Sequence, residues 1–368
     1  TIHPIYTILF VMFSKSITRS VLSAIALFTA NTSAVTTPVD IYLHDLAVSG
    51  HHPVVEFLDF IAKYEKVYST VEKVAAALEK FADNWNTVHK HNSMNHGFVM
   101  EMNEYSDMTA DEFRNNKLSG GGDGGCFMSN STHTGLYRTA TGCIRFRSET
   151  TDIPDSVDWR DSGAVTNVKN QGQCGSCWSF SATGAMEGAW FTKTGELVAL
   201  SEQQLVGCSV NYGNNGCNGG LMDSAFEYAI VNGMCTEKDI PYTANDGSCV
   251  ECQPTVTIDH CIDVTPNNQL HLKEAVSRGP VAIAIEADTR LFQFYSHGII
   301  NSARCGTNLD HGVLIVGYGE DDGKKFWTVK NSWGDHWGDG GYLKIARSDS
   351  DNDAGICGIA MQPSIRIS

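Results

Sequence analysis

Hydrophobic residues in the first third of the chain recur at helical spacing and predict two helices within residues 53–92. In the second helix, apolar residues step by three or four positions, which places them on one face. That stripe comprises Val71, Val74, Leu78, Phe81, Trp85 and Val88. The alternating residues 100–107 then predict a strand. Thr109, with Glu112 three positions later, predicts a capped start of a short helix.

A second pattern begins at Ile153, after a polar stretch that includes the Gly-rich residues 119–125. Residues 177–194 form the first long helical segment of this part, and Gly195 closes it. Four predicted strands follow, at 281–286, 313–319, 326–330 and 342–346. Because helices come first and strands later, the pattern predicts an α+β fold with two lobes.

The N-terminal residues have the layout of a secretory signal peptide. With Met12 as a candidate start, Lys15 and Arg19 precede the apolar residues 21–30 and a small-residue cleavage site that ends at Ala34. A transmembrane anchor is the alternative, but this apolar run is too short to span a bilayer. We therefore expect a secreted chain without a membrane anchor.

Composition and charge narrow the classes of function. The 368 residues carry a net charge of −16, which argues against binding to nucleic acid or to anionic membranes, because both need basic patches. Twelve cysteines are many for a chain of this length. With a signal peptide they predict disulfide bonds formed in an oxidising compartment. A sequon at Asn130 is a candidate glycosylation site.

The segment from Gln171 to Phe180 carries the clearest chemical signal. Cys177 stands where a Gly-containing loop ends and a helix begins, and the free N–H groups of a helix start favour a thiolate. Gln171, six residues earlier, is an amide donor that can stabilise a developing oxyanion. Taken alone, Cys174 and Cys177 also fit a redox or metal-binding CxxC pair.

A thiolate nucleophile needs a base, and the base needs an orienting partner. His311 precedes one predicted strand and Asn331 follows another. A neutral asparagine suits the orienting role, because the thiolate and the imidazolium already compensate each other's charge. With this pair present, the CxxC alternatives lose most of their weight, and the sequence shows no convincing cluster of metal ligands.

Together these motifs resemble the papain-like cysteine proteases, most closely the cathepsin L branch. The resemblance implies an α+β papain-like fold of two lobes and a monomeric cysteine endopeptidase that acts on proteins and peptides in a lysosomal or extracellular setting. It also implies roles for four residues and no cofactor or metal. The roles are nucleophile for Cys177, base for His311, orienting group for Asn331 and oxyanion donor for Gln171. A non-catalytic binding module is the alternative, which an intact nucleophile and base disfavour.

The resemblance also assigns the domains. It implies a signal peptide over residues 1–34, an inhibitory propeptide with its linker over 35–152, and a catalytic domain over 153–368. In the propeptide helix and the segment after it, the family spacing is kept by Phe81, Asn84, Val88, Asn92, Asn103, Tyr105 and Asp107. Lys73 and Ala77 depart from the Glu and Arg usual at those positions. Either that ion pair is absent or the register shifts around Glu72.

The family's substrate cleft maps onto several residues. Gly219 and Gly220 fall where the backbone pairs with an extended substrate. The implied lining of the pocket for the second residue before the scissile bond is Leu221, Met222, Ala284, Leu309 and Gln362. Trp333 and Trp337 fall where aromatic rings cover the His–Asn pair, and Asp310 lies beside a neighbouring subsite. The absence of a His-containing insertion after Gly220 implies endopeptidase action.

The resemblance implies part of the disulfide framework. The implied bridges are Cys174–Cys217, Cys208–Cys249 and Cys305–Cys357. Cys235, Cys252 and Cys261 are additional, and three cysteines leave room for at most one bridge among themselves. Cys126 and Cys143 are candidates to close a loop in the linker.

Overall fold

The structure, a computed structural model, describes residues 37–49, 53–94, 96–118, 126, 143–148 and 152–367. The predicted signal peptide, the sequon at Asn130 and the Gly-rich residues 119–125 lie outside the described residues. The chain divides into two compact units. The first holds the described residues up to His89 together with Met102–Met108, and the second holds the rest.

Three helices build the first unit. They are α1 (Pro38–Ser49), α2 (Val54–Lys63) and α3 (Val71–Asn92). Helices α2 and α3 confirm the two predicted helices. Their contact is aromatic, because Phe81 of α3 packs against Phe57 and Phe60 of α2 with ring centroids 5.4 and 5.2 Å apart. All three rings are buried, so this cluster is the core of the first unit.

Helix α3 buries the face that carries the predicted apolar stripe. Val74, Phe81 and Val88 are all inaccessible to solvent. Lys73 donates to the Ser69 hydroxyl at 3.1 Å, and Ala77 is buried against the same core. The ion pair usual at positions 73 and 77 is therefore absent, and α3 keeps its predicted register.

The strand predicted over residues 100–107 is largely wrong. Only Phe98–Met100 form a strand, β1, and the following residues form turns. Asn103 accepts from the Tyr105 N–H at 3.0 Å, and the Ser106 hydroxyl both accepts from the Asn103 N–H and donates to the Asn103 carbonyl. These local side-chain bonds satisfy the backbone without a partner strand, which overrides the alternating pattern.

The second unit contains helices as well as strands. The helices are α4 (Ala110–Lys117), α5 (Cys177–Thr194), α6 (Glu202–Cys208), α7 (Met222–Asn232), α8 (Gln269–Arg278) and α9 (Arg290–Phe294). Thr109 and Glu112 form the predicted capping box at the start of α4. Helix α5 has the predicted bounds and ends at Gly195, whose φ of +77° is easily adopted without a Cβ atom. It is buried along most of its length and packs against α7.

The strands form one large sheet. They are β1, β2 (Cys143–Arg145), β3 (Val157–Asp158), β4 (His260–Asp263), β5 (Val281–Ile285), β6 (Tyr295–Ile300), β7 (His311–Asp321), β8 (Lys324–Lys330), β9 (Tyr342–Ala346) and β10 (Ser364–Ile367). Their order is β1-β6-β9-β8-β7-β5-β10-β4-β2, with β3 beside β7. Strands β5, β7, β8 and β9 confirm the four predicted strands. Strand β7 is buried along most of its length because α5 covers it, and the α+β fold class is confirmed.

All twelve cysteines are paired in disulfides. The bridges are Cys126–Cys177, Cys143–Cys261, Cys174–Cys217, Cys208–Cys249, Cys235–Cys252 and Cys305–Cys357. The three bridges implied by the resemblance are present. The proposed Cys126–Cys143 loop is wrong. Strand β2 runs parallel to β4 and places Cys143 directly opposite Cys261, which leaves Cys126 for another partner.

Within the part of the chain that the structure describes, none of the helices has both the length and the apolar character needed to cross a bilayer.

Candidate active site

Cys177 is the first residue of α5, so its side chain lies at the helix end where backbone N–H groups are free. The Gly312 N–H donates to Cys177 Sγ at 3.1 Å. A side chain at position 312 would place Cβ only 3.2 Å from the Trp178 Cα, so only a glycine lets β7 approach the start of α5 so closely. Helix end and Gly312 N–H together favour a negative charge on this sulfur.

His311 and Asn331 are joined by a hydrogen bond of 2.8 Å between His311 Nε2 and Asn331 Oδ1. The Ser332 N–H donates to the same oxygen at 2.8 Å. A backbone N–H can only donate, so this atom of Asn331 is its oxygen and His311 Nε2 must carry the hydrogen. In the neutral ring, Nδ1 is then the free acceptor. A ring nitrogen of His311 lies within 4.8 Å of Cys177 Sγ, and Nδ1 lies 3.3 Å from the Cys126 sulfur that is bonded to it, so the base and the predicted nucleophile are neighbours.

Two tryptophans cover this pair. The Trp333 ring stacks on the His311 ring with centroids 4.7 Å apart, and Trp337 meets Trp333 edge to face at 4.9 Å. All three side chains are buried. Burial lowers the pKa of His311 to about 4, although the hydrogen bond to Asn331 acts in the opposite direction. In this state of the protein, His311 is therefore neutral near pH 7.

Gln171 has both ends of its side-chain amide fixed. Its Oε1 accepts from the Ser332 hydroxyl at 2.8 Å. Its Nε2 donates to the carbonyl oxygens of Cys174 at 3.0 Å and of Lys117 at 2.9 Å. Lys117 ends α4, so a backbone carbonyl from before the catalytic domain lies on the amide that was predicted to bind an oxyanion.

Cys126 is the neighbour that the sequence did not predict. Its sulfur is bonded to Cys177 Sγ and lies 3.3 Å from His311 Nδ1. Its carbonyl oxygen accepts from the Gly220 N–H at 3.3 Å. Two sulfurs and one nitrogen thus converge as a metal site would require, but sulfurs joined in a disulfide are not thiolate ligands.

The predicted pocket residues differ in exposure. Met222, Ala284 and Leu309 are buried, Leu221 is partly exposed, and Gln362 is exposed. The buried apolar side chains fit a lining, whereas the Gln362 amide is in contact with solvent.

Gly219, Gly220 and Asp310 lie beside this region. Gly219 has a φ of +104°, and a side chain on Gly220 would meet Asn214 Oδ1 at 2.5 Å, so both positions need glycine. Burial raises the pKa of Asp310 to about 8, although its carboxylate accepts from the Ala287 N–H at 2.7 Å.

Several contacts at the site had no strong signal in the sequence. Lys117 acts through its backbone carbonyl, which any residue could supply. Gly312 and Ser332 flank predicted residues but were not singled out. Cys126 had a weak signal: once the three implied bridges are removed, six cysteines remain including Cys177, an even number that pairs completely.

Comparison with protein families gives two matches. Residues 153–367 match the papain family cysteine protease model, and residues 57–113 match the cathepsin propeptide inhibitor domain (I29) model. Cys126 and Cys143 lie between the two matched regions.

Similar individual proteins are plant proteases. Cysteine proteinase RD21A of Arabidopsis thaliana is 45% identical over 310 residues, which is 83% of this chain and 64% of that protein. Vignain of Ricinus communis is 48% identical over 294 residues, or 78% of each chain. This chain thus spans less than two thirds of the length of RD21A.

Similar solved structures are precursors. The digestive procathepsin L 3 of Tenebrio molitor larval midgut has a TM-score of 0.73 at 37% identity, and the match covers 85% of this chain and 98% of that one. The recombinant stem bromelain precursor has a TM-score of 0.74 at 35% identity, with the same coverage.

Proposed function

Because this chain belongs to the papain family of cysteine proteases and carries that family's propeptide inhibitor domain, we propose that it is the zymogen of a cysteine endopeptidase. The observation that carries the proposal is the orientation of His311. Its Nε2–H is held by Asn331, and its free Nδ1 lies 3.3 Å from the Cys126 sulfur, which is bonded to the sulfur at the start of α5. A base oriented towards a thiol at a helix end is the arrangement for nucleophilic catalysis.

The proposed reaction follows from these groups. His311 Nδ1 takes the Cys177 proton, and the thiolate attacks the peptide carbonyl. The Gln171 amide stabilises the oxyanion, and the imidazolium then protonates the leaving amine. Water, deprotonated by His311, attacks the resulting thioester, which releases the acid and restores the thiol. Asn331 holds the ring in one tautomer through both halves of the reaction.

The test of this function uses the full chain, incubated in acid in the presence of a thiol reductant. A protease should hydrolyse internal bonds of fluorogenic peptides, and a thiol-directed epoxide should label Cys177 and stop the hydrolysis. A non-catalytic binding module would bind peptides without cleaving them. Peptide binding with no turnover by the fully reduced, cleaved protein would contradict the proposal.

The cleft residues suggest a substrate class. We propose that Leu221, Met222, Ala284 and Leu309 select Leu, Val or Phe as the second residue before the scissile bond. The exposed Gln362 amide keeps its hydrogen bonds to water, so it has little to gain from a polar substrate side chain. We also propose a monomer in the secretory pathway, since all proposed catalytic groups come from one chain and the six disulfides fit an oxidising compartment.

Replacing Gln171 by alanine should lower kcat by about 10²–10³-fold, because one oxyanion donor is then lost. The matched control is Gln362→Ala, which removes an exposed amide and should leave kcat/KM for a Leu substrate within about twofold of the wild type. The same control tests specificity: we expect the ratio of kcat/KM for Leu substrates to kcat/KM for Arg substrates to be the same in Gln362→Ala as in the wild type. Steady-state kinetics on the activated proteins give both values. A negligible loss in Gln171→Ala would remove this residue from the site.

Acid should trigger cleavage of the zymogen near Ile153, within a few residues. In the first unit, the Asp107 carboxylate accepts from Tyr68 at 2.7 Å and pairs with Lys66 at 3.0 Å. Loss of this ion pair would loosen the first unit, which is the step that we expect to precede cleavage. Mass spectrometry after incubation with dithiothreitol at acid and neutral pH should show the cut only in acid. A precursor that is fully active at neutral pH without cleavage would contradict this prediction.

The disulfides add a further expected result to that experiment. Cys143–Cys261 crosses the predicted cleavage site, so a cut near Ile153 leaves the N-terminal fragment covalently attached. When an added serine protease makes this cut in the oxidised chain, we expect the product to run as one species without reductant and as two fragments with it.

A further inference from the structure

We propose that Cys126 locks the nucleophile covalently, so that this zymogen needs a thiol reductant in addition to propeptide cleavage. The proposal rests on the proposed protease function and extends its regulation. Propeptide inhibition through contacts alone ends when the propeptide is cut and diffuses away. A disulfide to Cys177 does not end in that way, because proteolysis breaks amide bonds and leaves the sulfur–sulfur bond intact.

The first observation is where Cys126 lies. It is 51 residues before Cys177, in the stretch between the two family matches, and it is bonded to the residue proposed as nucleophile. Both side chains have 0% exposure, so the bridge is sealed inside the cleft rather than formed at its rim.

The second observation is that Cys126 makes further contacts in the cleft besides its disulfide bond. Its carbonyl accepts from the Gly220 N–H, the group implied to pair with substrate backbone. Its sulfur lies 3.7 Å from the Asp310 carbonyl oxygen and 3.3 Å from His311 Nδ1. Cys126 thus occupies the place of a substrate, which brings its sulfur to the nucleophile in the folded zymogen.

The consequence for chemistry is direct. A thiolate attacks a carbonyl or an epoxide, and a sulfur in a disulfide does neither. His311 has no proton to accept from Cys177 in this state. The locked protein is therefore inactive even if every other catalytic group is in place.

Release requires a thiol of the dithiol class as co-reactant. Its thiolate attacks Cys126 Sγ, the Cys126–Cys177 bond breaks, and Cys177 leaves as a thiolate. The second thiol of the reductant then attacks the mixed disulfide, Cys126 leaves and takes a proton, and the reductant ends as a disulfide. Two electrons pass from the reductant to the protein.

Attack on Cys126 rather than on Cys177 is favoured by the leaving group. A thiol–disulfide exchange is faster when the departing thiolate is the more stable one. The Gly312 N–H and the start of α5 stabilise a thiolate on Cys177. Because both sulfurs are buried, we expect reduction to follow acid loosening of the zymogen rather than to precede it.

A second bridge of the linker provides the matched control. Cys143–Cys261 also joins the linker to the catalytic domain, but it lies between β2 and β4 and involves neither Cys177 nor His311. Cys143→Ser therefore removes a covalent attachment of the same kind without freeing the nucleophile.

The experiment uses the full chain, purified without reductant. Non-reducing peptide mapping by mass spectrometry should find the Cys126 and Cys177 peptides linked. Wild type, Cys126→Ser and Cys143→Ser are then incubated in acid and labelled with a thiol-directed epoxide, with or without dithiothreitol. Labelling of Cys177 in wild type and in Cys143→Ser should rise at least about tenfold with reductant. In Cys126→Ser, Cys177 should be labelled equally in both conditions, because the Cys177 thiol is already free.

Two outcomes would overturn the lock. One is a map in which Cys126 is a free thiol or is paired elsewhere, a result that does not depend on whether any variant folds. The other is wild type labelled to the same extent without reductant as with it. Failure of the protease proposal is distinguishable, since Cys126→Ser would then be labelled at Cys177 but would hydrolyse no peptide.

Discussion

Cys177→Ala should abolish peptide hydrolysis, with a loss in kcat on the order of 10⁴-fold or more, because the reaction then has no nucleophile. Two cysteine sulfurs lie near His311, so this substitution is the one that tests which of them is the nucleophile. Distance alone does not choose between them, since the sulfurs of Cys126 and Cys177 both lie within 4.8 Å of a His311 ring nitrogen. Cys177 is favoured because only its sulfur lies at the start of α5 and accepts from the Gly312 N–H.

Cys126→Ser is the matched substitution for this test. Measured in reductant, it should keep kcat/KM within about twofold of the wild type, since its side chain leaves the cleft on activation. The alanine variant cannot cleave its own propeptide, so every protein is processed by a serine protease that is inhibited before the assay. Substantial activity in Cys177→Ala, or a loss of activity in Cys126→Ser, would show that Cys126 and not Cys177 is the nucleophile.

Lys169→Met should destabilise the catalytic domain by about 3–5 kcal/mol, because it leaves buried carboxylates without their partner. Lys169 Nζ lies 3.0 Å from Glu187 Oε1 and 2.6 Å from Glu202 Oε1, and both glutamates are buried. Lys330 is a weaker partner for these carboxylates, because its ammonium donates to the Thr166 carbonyl and hydroxyl and not to either glutamate. Burial lowers the pKa of Lys330 to about 8, which further weakens it as a substitute cation.

The loss should depend on pH. Burial raises the pKa of Glu202 from 4.5 to about 7. Its contribution to stability is therefore complete below the unfolded value of 4.5 and is lost as pH rises through about 7. Removing Lys169 raises this pKa further, since the carboxylate loses its nearest positive charge. The loss in Lys169→Met should therefore be larger at neutral pH than at about pH 5, where the carboxyl is protonated.

Denaturant unfolding of the processed, epoxide-blocked domain at both pH values measures this effect. The control is Lys193→Met, which removes an exposed ion pair to Asp259 with an N–O distance of 3.4 Å and side chains 41% and 53% accessible. It should cost no more than about 1 kcal/mol. Equal losses of unfolding free energy in the two variants would show that the buried charges are not coupled as described. So would a loss in Lys169→Met that is the same at both pH values.

Local pattern in the sequence was sufficient for several elements. The stripe along α3, the bounds of α5 with Gly195 at its end, and the strands β5, β7, β8 and β9 all follow from periodicity and capping. Each of these signals depends on residues a few positions apart, so it is complete in the linear chain. Cys177, His311 and Asn331 lie at the ends of predicted elements, but their roles are implied by the resemblance to papain-like proteases and stay predictions.

Contacts between distant residues were decided only by the tertiary structure. The alternation over residues 100–107 predicts a strand, yet Asn103 and Ser106 bond their own backbone, and the pattern alone cannot show which competes better. The tautomer of His311 required the Ser332 N–H, 21 positions away in the chain. The partners of Cys126 and Cys143 depended on packing across 51 and 118 residues, because a disulfide forms wherever the fold brings two Cβ atoms together. The residue types determined the available chemistry, and long-range packing determined that the nucleophile is held in a disulfide.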